Sequence, residues 1–346
     1  MDSDKCHTSD SSISLIWSFL TQAFPPSPQF TESDIPSQVG KVFIVTGGNS
    51  GIGYEVVKIL YAKGGTVYMA GRNADKINAA IQAIKSAHDH TASPGHIKSL
   101  VLDLGDLSTI PTCVADFLAQ ESRLDILWNN GGIAHVPAGT VSTQGHEAHV
   151  GTNCLGPFLL TKLLLPILTR TAKSAPKDSV RVLWVSSGVI DIMAPPGGLL
   201  LDELAPGHHS QVPAHNYSVS KAGDWLLASE LDKRVRELGI VSVALSPGSL
   251  KNKGFDRLPW YQRWLMKPLL HEPVMGAYTE LWAGLSREVT GADGGRYALP
   301  WGRWHPSPKK DILESLEAKT EGGTGLAAEF WQWCEEQSKD YVGVGS

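Results

Sequence analysis

The stretch Lys41–Arg72, KVFIVTGGNSGIGYEVVKILYAKGGTVYMAGR, constrains this chain more than any other. Val42–Val45 is an apolar run rich in β-branched residues and reads as a buried strand. Thr46–Gly53 follows, with glycines at 47, 48, 51 and 53. Ile52, Val56, Ile59 and Leu60 then share one helical face, Gly64-Gly65 stops the helix, and Thr66–Ala70 reads as a second strand. Together these make one βαβ unit. The glycines have a physical task in it. A strand must turn sharply into a helix whose first N–H groups point at an anion, and side chains there would keep a pyrophosphate off the backbone. A glycine loop in that context predicts a dinucleotide site.

The alternation continues down the chain. Helices are expected over Ala74–Ala87 and over Leu107–Ser122 with Ser108 as N-cap. Further helices are expected over Thr143–Leu168, Ala214–Leu238 and Pro273–Arg287. Strands are expected over Ile97–Leu104, Leu124–Trp128, Val180–Ser186, Ile240–Ser246 and Arg296–Leu299, with Gly188–Pro213 as a loop. Repeated strand–helix alternation predicts an α/β fold, a doubly wound parallel sheet of about seven strands with helices on both faces. The 346 residues suit one such domain with tails. We divide them into an N-terminal extension and linker (1–39), a catalytic domain (40–301) and a C-terminal tail (302–346) with helices over Ile312–Lys319 and Leu326–Ser338.

The exclusions are equally physical. A net charge of -5 argues against a nucleic-acid partner. Cys6, Cys113, Cys154 and Cys334 are scattered, and MDSDK lacks a basic signal-peptide start, so a cytoplasmic protein is expected. Ile13–Phe24 is too short to span a bilayer. It reads either as a helix docked on the domain or as a membrane-surface helix. His146-Glu147-Ala148-His149 is not H-E-x-x-H, and no metal site is expected.

The loop reads T-G-x-x-x-G-x-G from Thr46 to Gly53, a spacing similar to that of the short-chain dehydrogenase/reductase family. Later residues extend the resemblance over Gly40–Leu299: Asp103, the turn Asn129-Asn130-Gly131-Gly132, Asn153, Val185-Ser186-Ser187-Gly188, Tyr217-x-x-x-Lys221 and Pro247-Gly248. The sub-branch resembles retinol-dehydrogenase-like members, among them fungal enzymes of secondary metabolism. The resemblance implies cofactor contacts at Gly47, Asn49, Ser50, Gly51, Ile52 and Gly53, at Asp103 and Leu104, and at Asn130 and Gly131. It implies others at Tyr217, Lys221, Pro247, Gly248, Leu250 and Asn252, the last standing where the family often has threonine. It also implies a possible homodimer through helices Thr143–Leu168 and Ala214–Leu238.

Strand two ends in Ala70-Gly71-Arg72. A site for NAD places an acid there, on the ribose 2′-hydroxyl. This chain has none before Asp75, and Arg72 can fork onto a 2′-phosphate. NADP(H) is therefore the expected cofactor.

Tyr217 and Lys221 are spaced i, i+4 and share a helix face. A cation held beside a phenol brings it toward the range useful for general acid–base work. A hydroxyl at the carboxyl edge of strand five can polarise a carbonyl. Ser186 and Ser187 both stand there, and the resemblance selects Ser187. It also gives Asn153 the holding of a water. The expected activity is hydride transfer between NADPH and a carbonyl or alcohol. A non-redox enzyme or an NADP-sensing module on the same fold is the alternative. Ser249–His271 carries Trp260, Tyr261, Trp264 and Leu265. It reads as a lid, placed at 249–272, over a bulky apolar substrate, or as plain core packing.

Arg72→Ala should weaken NADPH binding by about 1.5–3 kcal/mol, the range for a hydrogen bond to a charged group. NADH binding should barely change. Fluorescence titration with both cofactors checks this, and equal losses would make Arg72 structural.

Overall fold

The computed structural model describes residues 21–88, 94–251 and 269–342. Most of the Ile13–Phe24 segment lies outside them, as do Asn252 and the Trp260–Leu265 stretch of the expected lid. Eight strands form one sheet: β1 (Val42–Thr46), β2 (Thr66–Gly71), β3 (His96–Val101), β4 (Ile126–Asn129), β5 (Val180–Val185), β6 (Ile240–Leu245), β7 (Tyr297–Leu299) and β8 (Arg303–Trp304). Their order is β3-β2-β1-β4-β5-β6-β7-β8, parallel except for the last pair. The eighth strand lies beyond the expected domain end at 301. It is two residues long and returns through Trp301 and Gly302, both at positive φ, so it carries no periodic signal.

The described helices are α1 (Gly51–Ala62), α2 (Ala74–Ala87), α3 (Ile110–Leu118), α4 (Gly156–Ala172), α5 (Val189–Met193), α6 (Pro213–Val235), α7 (Pro273–Leu285), α8 (Lys310–Leu316) and α9 (Leu326–Ser338). α1, α2 and α7 pack on one face of the sheet, and α3, α4 and α6 on the other. Every residue of β1, β4, β5 and β6 is buried, as strands sandwiched between helix layers must be. The edge strand β3 instead buries only Ile97 and Leu100.

Three expectations change. Asp106, not Ser108, caps the helix entry: its Oδ1 accepts from Ser108 N at 3.1 Å, and a 3-10 turn precedes α3. The helix expected from Thr143 starts later, through a π-helical turn at Val150–Leu155. The 188–213 loop contains α5 and a short 3-10 turn. The continuous helix Val150–Ala172 is long and apolar enough to cross a membrane, but 72% of its apolar window is inside the protein, which makes it a core helix.

Arg181, on β5, is buried and donates to Ala283 O at 2.8 Å, Ser286 O at 2.9 Å and Val289 O at 2.8 Å. It thereby satisfies carbonyls at and beyond the end of α7 that the helix cannot. Burial pushes the guanidinium down to about 10.

The C-terminal tail joins the main core. Phe330, Trp331 and Cys334 of α9 are buried against α4 and α6. Trp331 meets Phe158 edge-on at 4.8 Å between ring centroids, and the Arg234 guanidinium lies 4.3 Å from the Trp331 ring centre. Lys162 pairs with Glu335 at 2.6 Å. α6 is covered on more than one side and buries Asp224, Ser229, Glu230 and Asp232 as well as its leucines.

Trp331→Ala should cost about 3–5 kcal/mol, as for a large aromatic removed from a core. Chemical denaturation of the full chain measures it. A loss of under about 1 kcal/mol, the surface-like range, would mean that the tail rests on the domain without completing it.

Candidate active site

The sheet order reverses between β1 and β4, and ligands of open α/β sheets bind at the carboxyl ends there. One buried side chain organises that point. Thr46 Oγ1 donates to Trp128 O at 3.1 Å and accepts from Gly131 N at 2.7 Å. Asn130 Nδ2 donates to Thr46 O at 2.6 Å. The glycine loop is thus tied to the turn after β4. Its tightness explains two glycines: a Cβ on Gly47 would lie 2.9 Å from Gly131 Cα, and one on Gly53 2.5 Å from Asn130 Nδ2. Gly51 opens α1 at φ +58 with nothing near its Cβ direction. Ser50 precedes it as N-cap, with no side-chain capping bond.

These residues fit a dinucleotide: a cradle that side chains would fill, at the N-terminus of a helix. Asn49 Oδ1 lies where a Cβ on Gly71 would come within 2.9 Å, so the loop reaches the end of β2. Arg72 is exposed there. Asp103 Oδ1 accepts from Gly105 N at 2.9 Å, and Leu104 packs under Gly131. On the far side Ile52 and Leu250 converge on Gly276 of α7, and Pro247 O faces the same point. Gly248 takes φ +89.

The chemical groups come from α6, β5 and the π-helical turn. Lys221 is buried, and its Nζ donates to Val185 O at 2.8 Å and to Asp224 Oδ2 at 2.9 Å. It lies 5.9 Å from the centre of the Tyr217 ring. Burial pulls the Lys221 ammonium down, but Asp224 and Tyr217 outweigh it and hold it above its ordinary range. Tyr217 itself is half-buried. Ser186 and Ser187 separate clearly. Ser186 is buried and donates to Lys221 O at 2.6 Å, whereas Ser187 is half-exposed and accepts from Val189 N at 3.3 Å. Asn153 lies in the π-helical turn. Its Oδ1 accepts from Ile133 N at 2.8 Å, and its Nδ2 donates to Ile133 O at 3.0 Å and Ser220 Oγ at 2.9 Å. The side-chain amide therefore clamps the loop after β4 to α6.

Two partners escaped the sequence reading. Asp224, one turn beyond Lys221, supplies the buried carboxylate that faces it. His149 is fully buried, bonded through Nδ1 to Glu147 Oε1 at 2.8 Å, with its ring edge-on to Tyr217 at 5.8 Å. The i, i+4 spacing of His149 and Asn153 was the available signal, since both face α6.

A sequence profile of the family described as short chain dehydrogenase matches residues 41–191. The chain is 46% identical over 334 residues to the short-chain dehydrogenase/reductase iacJ of Pestalotiopsis fici, covering 95% of this chain and 100% of that one. Among solved structures, an uncharacterised protein of Mycobacterium paratuberculosis is 28% identical at a TM-score of 0.64, covering 90% of this chain and 98% of that one. RhlG of Pseudomonas aeruginosa, solved as an NADP active-site complex, is 20% identical at a TM-score of 0.59, covering 77% and 96% respectively.

Glu280 of α7 is fully buried, and neither carboxyl oxygen has a hydrogen-bond partner among the described residues. Burial pushes it up to about 8, against the pull of Lys221. The unfolded chain releases that proton near 4.5. Between the two values the folded state binds more protons, so stability falls as pH rises through that window. Glu280→Gln should flatten this limb in urea midpoints measured across the window. An unchanged slope would mean that the carboxyl is ionised in the fold.

Proposed function

Because the chain belongs to the short-chain dehydrogenase/reductase family, we propose that it is an NADP(H)-dependent oxidoreductase interconverting a carbonyl and an alcohol. The single observation that carries this reading is the set on α6: a half-buried Tyr217 above a buried Lys221 whose charge Asp224 sustains. The bound cofactor supplies or accepts the hydride. Gly47, Asn49, Ser50, Gly51, Ile52 and Gly53 would hold its pyrophosphate region, with Asp103, Leu104, Asn130 and Gly131 at the adenosine side. Pro247, Gly248 and Leu250 would face the other end. The absence of an acid at the end of β2 and the exposed Arg72 support NADP(H) over NAD(H).

In the reducing direction the Ser187 hydroxyl donates to the substrate oxygen and polarises the carbonyl. Tyr217 then gives that oxygen its phenolic proton. Lys221 keeps a positive charge beside the oxygen that has lost the proton. It is fixed by Val185 O, so it does not swing away. Asn153 fixes the π-helical turn beside this path. The substrate we propose is a bulky, largely apolar carbonyl compound, and a place in secondary-metabolite biosynthesis follows from the sequence resemblance. α9 packs on α6 and touches α4, the two helices through which the resemblance implies a possible homodimer.

Tyr217→Phe should reduce turnover about a hundredfold to ten-thousandfold, as for loss of a general acid. NADPH affinity should stay near wild type. NADPH oxidation with a ketone panel, beside a fluorescence titration, reads both. Near-normal turnover would remove Tyr217 from the proton transfer.

A further inference from the structure

The described chain begins with a helical turn, Thr21–Ala23, that sits on the carboxyl edge of the sheet. Three separate parts of the fold grip it. Gln22 Nε2 donates to Asp191 Oδ2 of α5 at 2.6 Å, a buried bond across 169 residues. His271 Nε2 donates to Ala23 O at 3.2 Å, and the Arg303 guanidinium donates to Thr21 O. Asp191 is itself held. The same Oδ2 accepts from His305 Nε2 at 3.1 Å, while His305 Nδ1 accepts from Ser307 N at 3.1 Å, which fixes the tautomer. Gln22 and Ala23 are 9% and 3% exposed, the values of a built-in element.

The place of this grip matters more than its strength. Gln22 and Ala23 line a cavity of 240 Å³ whose other walls include Ser187, Val189, Asp191 and Ser249. A Cβ on Gly188 would come within 2.5 Å of Gln22 Oε1, so the residue after Ser187 is small where Gln22 rests on it. The cavity is below the roughly 300–1,000 Å³ of a pocket that takes a whole drug-sized ligand. Its Ser187 wall places it beside the hydroxyl assigned to the carbonyl oxygen.

We infer that Gln22, carried by the N-terminal extension, is a specificity-determining residue that walls the substrate cavity beside Ser187. This rests on the assignment of Ser187 to the carbonyl oxygen. The turn Thr21–Ala23 then belongs to the active site and limits how much bulk a carbonyl compound can carry on the side facing α5. Asp191 is a positioning residue that acts through Gln22.

The test uses the full chain, NADPH and a series of neutral ketones of increasing bulk. Gln22→Ala removes that wall and should raise KM for the best wild-type ketone about five- to tenfold, or about 1–1.4 kcal/mol of lost contact. It should also move the preference toward bulkier ketones, with NADPH affinity and Tm close to wild type. Asp191→Asn keeps an acceptor for the Gln22 amide and should keep the wild-type order of ketones. Unchanged KM and order in Gln22→Ala would overturn the inference, as would the same loss for every ketone. If the wild type binds NADPH but reduces none of the series, the redox reading fails separately. Amide hydrogen exchange over Ser187–Asp191 then decides the wall: faster exchange in Gln22→Ala upholds it, and unchanged exchange rejects it.

Discussion

The site depends first on one buried hydroxyl. Thr46 ends β1 with no exposure and bonds both to β4 and to the turn after it. A parallel sheet leaves its strand ends open wherever the order reverses, and that opening is useful only if the two loops beside it hold still. Thr46 and Asn130 hold them, and the glycines at 47 and 53 let the loops come close enough to be held. Asn153 then ties the loop after β4 to α6 through Ile133 and Ser220, which links this stitch to the helix of Tyr217 and Lys221.

Lys221 shows how burial and charge are balanced on the other side. An ammonium taken from water is costly unless paired and hydrogen-bonded. Asp224 provides the pair and Val185 O the second acceptor, so the charge survives deep in the protein beside Tyr217. Glu280 is the opposite case, a carboxyl without a described partner that burial keeps protonated well into the neutral range. The same interior thus holds one group charged and another neutral, and partners make the difference.

The parts that were legible in the sequence are those with local period or local spacing. β1, α1 and β2 follow from β-branched runs and glycines, α2 and α9 fall where periodicity puts them, and Tyr217 and Lys221 share a face because they are four residues apart. What escaped depends on distant partners. Arg181 closes the end of a helix 102 residues away, and Gln22 meets Asp191 across 169. Neither leaves a periodic trace. The choice between Ser186 and Ser187 needed the resemblance, because both end the same strand. The structure separates them by burial, with Ser186 turned to Lys221 O. The cap at Asp106 was missed by two residues because Asp and Ser are equally good caps and both were present.

The position of α9 bears on how the chain is made. The side of the α4 and α6 layer is covered by Phe330, Trp331 and Cys334, which come later in the chain than either helix. A ribosome releases residues in order, so β1, α1 and β2 can pair early, while α4 and α6 lack this cover until α9 emerges. Until then Phe158 of α4 lacks the Trp331 ring that it meets in the fold. The order of synthesis thus leaves the packing of α4 and α6 incomplete until α9 has left the ribosome.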